Sequence, residues 1–324
     1  MDIYIQKAII HQFRPDDTDL VLADKFLNIT PKIEEYLRRK VERVYSDEAK
    51  TGIFEEGNPF FHYITDDLLE TSVTLANLWK EEFSISENQK TNDLVFVQFS
   101  KEGVAHFAFL RIALRETLTH LGGEVDNPIK LTQNNLPGFG TGADEALVVN
   151  LQSRKYHLIE KRIKYNGTFL NYFSENLLQV QPKISPKKSI KELEKTAQRI
   201  AENFNTDDFQ FQSKMKSAIF NHIEEDNQLL PEKLADDLFD NNLTARLSFI
   251  DQVKETVPEP VRFEEIDASR QLKRFENQKL SLSNGIELIV PNNVYQDAES
   301  VEFIQNENGT YSILIKNIED IQSK

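Results

Sequence analysis

The spacing of apolar residues changes along the chain and predicts its elements. Apolar and polar residues alternate loosely up to Phe13, and apolar residues return at Leu20 after a polar turn, which is typical of two strands joined by a loop. A helix follows, in which Thr30 is the expected N-cap and Pro31 the first helical residue. Its apolar face repeats at spacings of four, four and three residues: Ile33, Leu37, Val41 and Val44.

The next segment predicts a second helix and two hairpins. Two acidic residues after Thr65 favour a helix start there, because carboxylates interact favourably with the positive end of the helix dipole. Aromatic and β-branched runs over 93–100 and 104–114, separated by Lys-Glu-Gly, predict one hairpin. A second hairpin is predicted from the runs at 146–151 and 156–163.

The second half is predicted to be helical before it ends in strands. A short aromatic helix is predicted over 169–178, and Ser189 begins a capping box for another helix. Three more helices are predicted over about 208–225, 231–240 and 243–254. From there a period of two predicts the closing strands, at 279–283, 286–290, 301–305 and 310–316.

Together these elements predict an α+β protein of two domains. Residues 1–165 are expected to form a mixed α/β domain with antiparallel hairpins. Residues 166–324 are expected to form a helical region closed by a small antiparallel β segment. The boundary is expected within 165–186, where Pro182 and Pro186 interrupt the pattern.

Composition excludes several classes of protein. The chain of 324 residues suits about two domains of ~150 residues each. Cysteine is absent, which excludes disulfides, thiolate nucleophiles and cysteine-ligated metals. No apolar run reaches the ~18 to 20 residues that span a bilayer, and the start carries no secretion signal, so we expect a cytoplasmic protein without a membrane partner.

The charge of the chain is strongly segregated. The formal net charge is -15, yet residues 151–200 contain eleven basic and four acidic residues, a local +7 that leaves -22 elsewhere. A protein that binds nucleic acid through its phosphates needs Lys and Arg on an exposed surface. The candidate nucleic-acid-binding residues are therefore Arg154, Lys155, Lys161, Arg162, Lys164, Lys187, Lys188, Lys191, Lys195 and Arg199.

Each of these candidates has a plainer alternative. Lysines of the later helix could simply solubilise its face, paired locally with Glu192 and Glu194. Phe169, Tyr172 and Phe173 could stack on unpaired bases if exposed, or could belong to the core. A smaller basic cluster is flanked by glutamates that screen it: Arg38, Arg39, Lys40 and Arg43. Of these residues, Arg38, Arg39 and Arg43 are expected to face solvent.

Several motifs follow one another along the chain: Gln6-Lys7-Ala8-Ile9-Ile10-His11, Tyr45 followed by Gly52-Ile53-Phe54, the hairpins over 93–114 and 146–163, and Glu160-Lys161-Arg162-Ile163-Lys164 leading to Phe169 and Phe173. Taken in this order, they resemble the bacterial 37-kDa nucleoid-associated protein family of the NdpA type. The resemblance covers nearly the whole chain. It implies a cytoplasmic protein found with the bacterial nucleoid, presumed to bind DNA, with no enzymatic activity.

Other chemistry finds little support in the sequence. The six histidines lack the spacing of a helical zinc site, so no metal or cofactor is predicted, and His11 and His106 are expected to be hydrogen-bonded core or edge residues. The Leu136–Gly142 loop lacks the Gly-Lys-Ser/Thr ending of a phosphate-binding loop and is interpreted as a mobile surface loop, its role left open.

The sequence thus predicts a nucleoid-associated protein that binds DNA mainly through phosphates, with little sequence preference. The main alternative is an acidic adaptor or DNA mimic that reaches the nucleoid through basic DNA-handling proteins. A third hypothesis is an enzyme acting on nucleic acid, although no catalytic motif can be identified. Possible protein partners on the nucleoid and the oligomeric state are left open.

Overall fold

The computed structural model describes residues 2–15, 19–84, 90–120, 129–165, 167–204, 209–263, 265–320 and 322. The chain divides into two compact units, Met1–Ser185 and Pro186–Lys324. In the first unit the described helices are α1 (Pro31–Glu42), α2 (Pro59–His62) and α3 (Leu68–Phe83). Its described strands are β1 (Ile3–Arg14), β2 (Asp19–Val21), β3 (Lys50–Ile53), β4 (Asn92–Lys101), β5 (Val104–Ala113), β6 (Arg115–His120), β7 (Ile129–Asn135), β8 (Glu145–Asn150), β9 (Lys155–Ile159), β10 (Ile163–Tyr165) and β11 (Thr168–Leu170).

An antiparallel sheet is the centre of the first unit. Within the described ranges it has seven strands, in the order β2-β1-β4-β5-β8-β9-β3. On β4, Leu94 and Phe96 belong to a core with α3, whereas Val95 and Val97 belong to a second core with α1. A strand buried on both faces carries apolar residues at consecutive positions, which explains the unbroken apolar runs of β4 and β5.

The first strand contains a β-bulge that changes the faces of its side chains. Its pairing with β4 shifts by one residue between Ile5 and Lys7. In a regular strand, residues three positions apart lie on opposite faces. The one-residue shift turns every later side chain to the other face, so Ile5 and Ala8 share the core on the α1 side. Ile9 then faces the core on the α3 side.

A buried polar network joins the sheet to α3 and to the chain after β11. Arg111 Nε on β5 donates to Glu145 Oε2 on β8 at 2.7 Å, and the Tyr172 hydroxyl donates to the same oxygen. The Trp79 indole N–H on α3 donates to the Tyr172 oxygen at 2.9 Å. Trp79, Glu145 and Tyr172 are fully buried, so these groups have one another as partners instead of water. Burial and the Glu145 carboxylate raise the pKa of Tyr172, which keeps the phenol protonated as a donor.

The second unit is a helical assembly with small hairpins. Its described helices are α4 (Pro186–Asn203), α5 (Phe209–Asp226), α6 (Pro231–Leu238), α7 (Leu243–Thr256), α8 (Glu265–Phe275) and α9 (Asn292–Tyr295). Its described strands are β12 (Gln228–Leu229), β13 (Val261–Arg262), β14 (Asn277–Ser281), β15 (Glu287–Pro291), β16 (Val301–Gln305) and β17 (Tyr311–Ile315). The helices bury apolar faces, as Leu193 of α4, Ile219 of α5 and Phe249 of α7 illustrate. Strands β14 and β15 form one antiparallel hairpin and β16 and β17 another, whereas β12 pairs antiparallel with β13, which follows α7.

The α+β fold is confirmed, and so are most of the predicted elements. The start at Pro31 holds, and the two central hairpins and the four closing strands lie close to their predicted ranges. The predicted start of α3 at Thr65 is wrong, because Asp67 is the N-cap and its carboxylate accepts the N–H groups of Leu69 and Glu70.

Two predictions in the middle of the chain are also wrong. Ser189 is not an N-cap but a buried residue inside α4, which begins at Pro186, where the fixed φ of proline suits the first helical turn. The single aromatic helix predicted over 169–178 is instead the end of β11, followed by one π-helical turn, Phe173–Leu177.

His11 is a core residue, as the sequence predicts, and it ties β1 to its neighbours. Its Nδ1 accepts the Ala23 N–H at 3.0 Å, and its Nε2 lies 2.9 Å from Ser72 Oγ. Since the Ser72 hydroxyl itself donates to the Leu69 carbonyl, the proton of the ring is on Nε2. Burial lowers the pKa of His11 from 6.5 to about 4, so the folded protein holds a neutral imidazole.

This depressed pKa predicts acid destabilisation in a defined window. Above pH 6.5 His11 is neutral in both states and its contribution to stability is fully present. As the pH falls from 6.5 toward 4, only the unfolded chain takes up the proton, which lowers the free energy of unfolding by up to about 3 kcal/mol. In His11→Gln the amide can keep both hydrogen bonds but does not titrate. Urea unfolding at several pH values should show a smaller loss for this variant; parallel losses for both proteins would contradict the assignment.

The two units are expected to be separable folding domains. Each has its own buried apolar residues, and the chain between them contains Pro182 and Pro186. Fragments 1–185 and 186–324 should therefore each be soluble and unfold cooperatively, as followed by circular dichroism. A fragment that aggregates or lacks a cooperative transition would show that the units do not fold independently.

Candidate nucleic-acid interface

The exposed face of α4 carries a row of basic side chains. Lys188, Lys191, Lys195 and Arg199 follow one another at spacings of three, four and four residues and are all exposed. At 3.6 residues per turn, this spacing places them on one side of the helix, over roughly 16 Å of its length. The apolar residues of α4 occupy the opposite, buried side: Ile190, Leu193, Ala197, Ile200 and Ala201.

The acidic residues of α4 do not neutralise this face. In the described part of the chain, no acidic side chain lies within ion-pair distance of Lys191 or Lys195. Glu194 pairs instead with Arg274 of α8, at 3.3 Å. Arg199 donates to the amide oxygen of Gln252, a neutral partner, at 2.5 Å. Lys191 and Lys195 therefore keep their positive charge, and local pairing within the helix does not account for these two side chains.

Lys187 is also exposed on α4, and the remaining basic candidates lie in the first unit. Arg154 and Lys155 are at the turn between β8 and β9, where Arg154 has a positive φ of 59° and is half-buried and Lys155 is exposed. The two groups of candidates thus belong to different compact units.

Lys161 and Arg162 lie between β9 and β10, Lys164 lies on β10, and Glu160 closes the base of this segment. The Glu160 side chain is 1% exposed, and it accepts a hydrogen bond from Lys50 Nζ at 2.6 Å. It also accepts the backbone N–H of Ser174 at 2.9 Å and the Ser174 hydroxyl at 2.8 Å. Glu160 is therefore a structural anchor. The exposed cations that follow it lie on a segment whose start is tied to Ser174 by the Glu160 carboxylate.

Two of these cations are engaged within the protein. Lys161 Nζ lies 2.8 Å from Asp144, and Arg162 Nη2 donates to the Phe169 carbonyl at 2.9 Å. Burial acts to raise the pKa of Asp144, but hydrogen bonds from Lys161 and the Ala113 N–H outweigh it and lower that pKa, so the carboxylate stays charged. Lys161 is thus partly neutralised, and the row on α4 offers more available charge.

The aromatic candidates separate into two kinds. Tyr172 and Phe173 are fully buried, so the alternative that they are core residues is confirmed. Phe169 is 62% exposed.

The N-terminal basic cluster is screened, and one of its members is not on the surface. Arg38 pairs with Glu42 at 2.5 Å and Arg39 with Glu35 at 2.7 Å, as expected for neighbouring glutamates. Lys40 differs from these arginines, because its side chain is fully buried. It lies three residues after Leu37 and four before Val44, a spacing that places it on the buried face of α1.

The buried Lys40 ammonium holds the glycine-rich loop. It donates to the carbonyls of Pro137, Gly138 and Thr141, at 3.4, 2.8 and 2.5 Å. The Tyr36 hydroxyl also donates to the Pro137 carbonyl, at 3.0 Å. Burial and the nearby charges of Arg43 and Arg115 lower the pKa of Lys40 to about 8, which leaves it mostly protonated at neutral pH. The loop is therefore tied to α1, and its interpretation as a mobile surface loop is wrong in this respect.

The described part of the chain contains neither a metal-binding cluster nor a membrane-spanning helix. No group of three His, Asp or Glu side chains there could hold a metal ion. Within the same ranges, no helix has the length and apolar character needed to cross a membrane.

Comparison with known proteins identifies the family. The family model described as nucleoid-associated protein YejK matches residues 9–321, nearly the whole chain. The chain therefore belongs to this family of nucleoid-associated proteins, in agreement with the resemblance of its motifs. A search of the curated proteins found no match.

The contacts of Lys40 predict the effect of its replacement. Lys40→Met retains an apolar stem but removes one donor from each of three carbonyls, so the loop should open more readily and stability should fall by about 1 to 3 kcal/mol. Hydrogen exchange at the Thr141 N–H, which bonds the Gly138 carbonyl, should become faster. The exposed Lys32 of the same helix provides the control Lys32→Met, which should leave exchange unchanged. Equal protection of Thr141 in both variants would refute the role of Lys40.

Proposed function

We infer that the protein binds DNA directly, through phosphate contacts and with little sequence preference, in the nucleoid and the surrounding cytoplasm of a bacterium. The observation that carries this proposal is the exposed row Lys188, Lys191, Lys195 and Arg199 on α4. Membership of the nucleoid-associated family supports it. The proposed role is not enzymatic, because neutralising phosphates requires charge and exposure but no reaction.

Phosphate contacts account for both the strength and the limits of such binding. Each cation that neutralises a phosphate releases condensed counterions, and this term does not depend on base sequence. The charge of -22 outside residues 151–200 opposes the approach of DNA. Binding is therefore confined to the basic surfaces and is sensitive to salt. Lys187 precedes this row on α4 and is included in the proposed interface, and the secondary candidates in the first unit are Arg154, Lys155, Lys161, Arg162 and Lys164.

A cleft in the second unit favours the adaptor as a second candidate function. Its volume is about 820 Å³, and Phe211, Tyr295 and Phe303 contribute aromatic surface. Asp236, Asp237 and Asp240 line it as well, and each is paired with a basic side chain of the same unit, respectively Arg246, His222 and Lys214. The aromatic surface of the cleft suits an apolar side chain of a protein partner. Such a partner could bring the protein to the nucleoid without direct DNA contact.

The α4 row predicts the effect of charge reversal. Replacing Lys188, Lys191, Lys195 and Arg199 together by Glu should weaken binding to duplexes of unrelated sequence by similar factors. Four exposed contacts at ~0.5 to 1 kcal/mol each correspond to a loss of roughly 30- to 1000-fold. Fluorescence anisotropy with two labelled duplexes measures the affinities, and circular dichroism verifies the fold.

A matched variant separates the row from the overall charge. Lys233, Lys254, Lys273 and Lys279 are exposed lysines of the same unit outside the row, and their replacement by Glu alters the net charge equally. This control should lose much less affinity than the α4 variant. If both variants lose DNA affinity equally, the effect is due to net charge, and α4 is not part of the interface. A wild-type protein that binds no DNA but binds a basic partner would replace the proposal with the adaptor.

A further inference from the structure

The small hairpin of β10 and β11 presents the aromatic ring of Phe169 to solvent. Its register pairs Ile163 with Leu170 and Lys164 with Phe169. Side chains alternate between the faces of a hairpin, so these two pairs point in opposite directions. Ile163 and Leu170 pack against the core on the α3 side, and Phe169 on the other face is 62% exposed.

The exposure of Phe169 follows from how its segment is held. Arg162 Nη2 donates to the Phe169 carbonyl at 2.9 Å, across the hairpin. Shortly after Phe169, the fully buried Tyr172 is fixed by its hydrogen bonds to Trp79 and Glu145. The segment is thus anchored on both sides of the ring, which is not exposed by fraying of a chain end.

The surroundings of the ring are cationic. Lys164 lies opposite Phe169 in the hairpin register with an exposed side chain, and the guanidinium of Arg162 is held at the Phe169 backbone. An aromatic face beside Lys and Arg matches a nucleotide, whose base offers a π-face and whose phosphate offers negative charge. In a duplex the faces of the bases are covered by their neighbours, so the ring can reach only bases that are unpaired.

We propose that Phe169 stacks on an unpaired base while Lys164 and Arg162 contact the adjoining phosphates, which gives the protein a site for single-stranded DNA. This proposal rests on the proposed function, since it assigns one part of the DNA-binding surface. The Phe169 site differs from the row on α4 in the form of DNA that it binds. The row consists of Lys and Arg alone and contacts the phosphate backbone of any DNA. A protein contact at the same ring is the competing explanation.

The experiment compares single-stranded and duplex DNA on the full-length protein. Phe169→Ala should weaken binding to a labelled oligothymidine of about 20 nucleotides by roughly 5- to 100-fold, as loss of one stacked base does, and should change duplex affinity less than about twofold. Phe169→Trp should restore binding to the single strand. Phe169→Leu, which is apolar but cannot stack, should behave like Phe169→Ala. The side chain is exposed, so none of these changes disturbs the core, as thermal unfolding can verify.

The remaining outcomes separate this site from the proposed function. If wild-type protein binds both DNAs and Phe169→Ala leaves single-strand affinity unchanged, the stacking site is wrong, DNA binding stands, and the ring is left for a protein contact. Equal losses on duplex and single strand, or full binding by Phe169→Leu, would also overturn stacking. Wild-type protein that binds neither DNA would overturn the proposed function itself.

Discussion

The buried ion pair between Arg111 and Glu145 is the interaction on which the first unit depends. It joins β5 to β8, and through Tyr172 and Trp79 it reaches the segment after β11 and helix α3. Removing one partner from such a pair leaves an uncompensated charge in the core, which typically costs about 3 to 5 kcal/mol. The network around this pair forms only when β5, β8, α3 and the segment after β11 are all correctly positioned.

The same constraint positions the basic loop of the first unit. Tyr172 is fixed in the core, and Glu160 is bonded to Ser174. The chain between Glu160 and Tyr172 must therefore extend outward from the core and return to it. Lys161, Arg162, Lys164 and Phe169 lie on this excursion. The interior thus determines where charge and aromatic surface are displayed. On α4 the arrangement is simpler, because one amphipathic helix buries its apolar side and displays its cations on the other.

Local signals predicted much of this fold, and contacts between distant residues explain what they missed. Pro31 and the apolar spacing after it are enough to predict α1, and the apolar runs of β4 and β5 are enough to predict their hairpin. The burial of Lys40 depends on carbonyls about a hundred positions away, so the sequence showed only its place on the apolar face. Strands β6 and β7 were missed because both are largely exposed and carry no clear alternation of burial. The sequence showed the row on α4 as a run of charge, whereas only the structure shows that Lys191 and Lys195 have no ion pair with the described acidic side chains.

The central claim is that DNA is bound through phosphates neutralised by the basic row on α4. The salt dependence of wild-type affinity for duplex DNA, measured between about 50 and 200 mM salt, tests it most directly. The slope of log affinity against log salt is about -0.9 for each phosphate contact, so four contacts predict a slope of about -3.6 or steeper. Affinity that is independent of salt, or no binding even at low salt, would contradict the account.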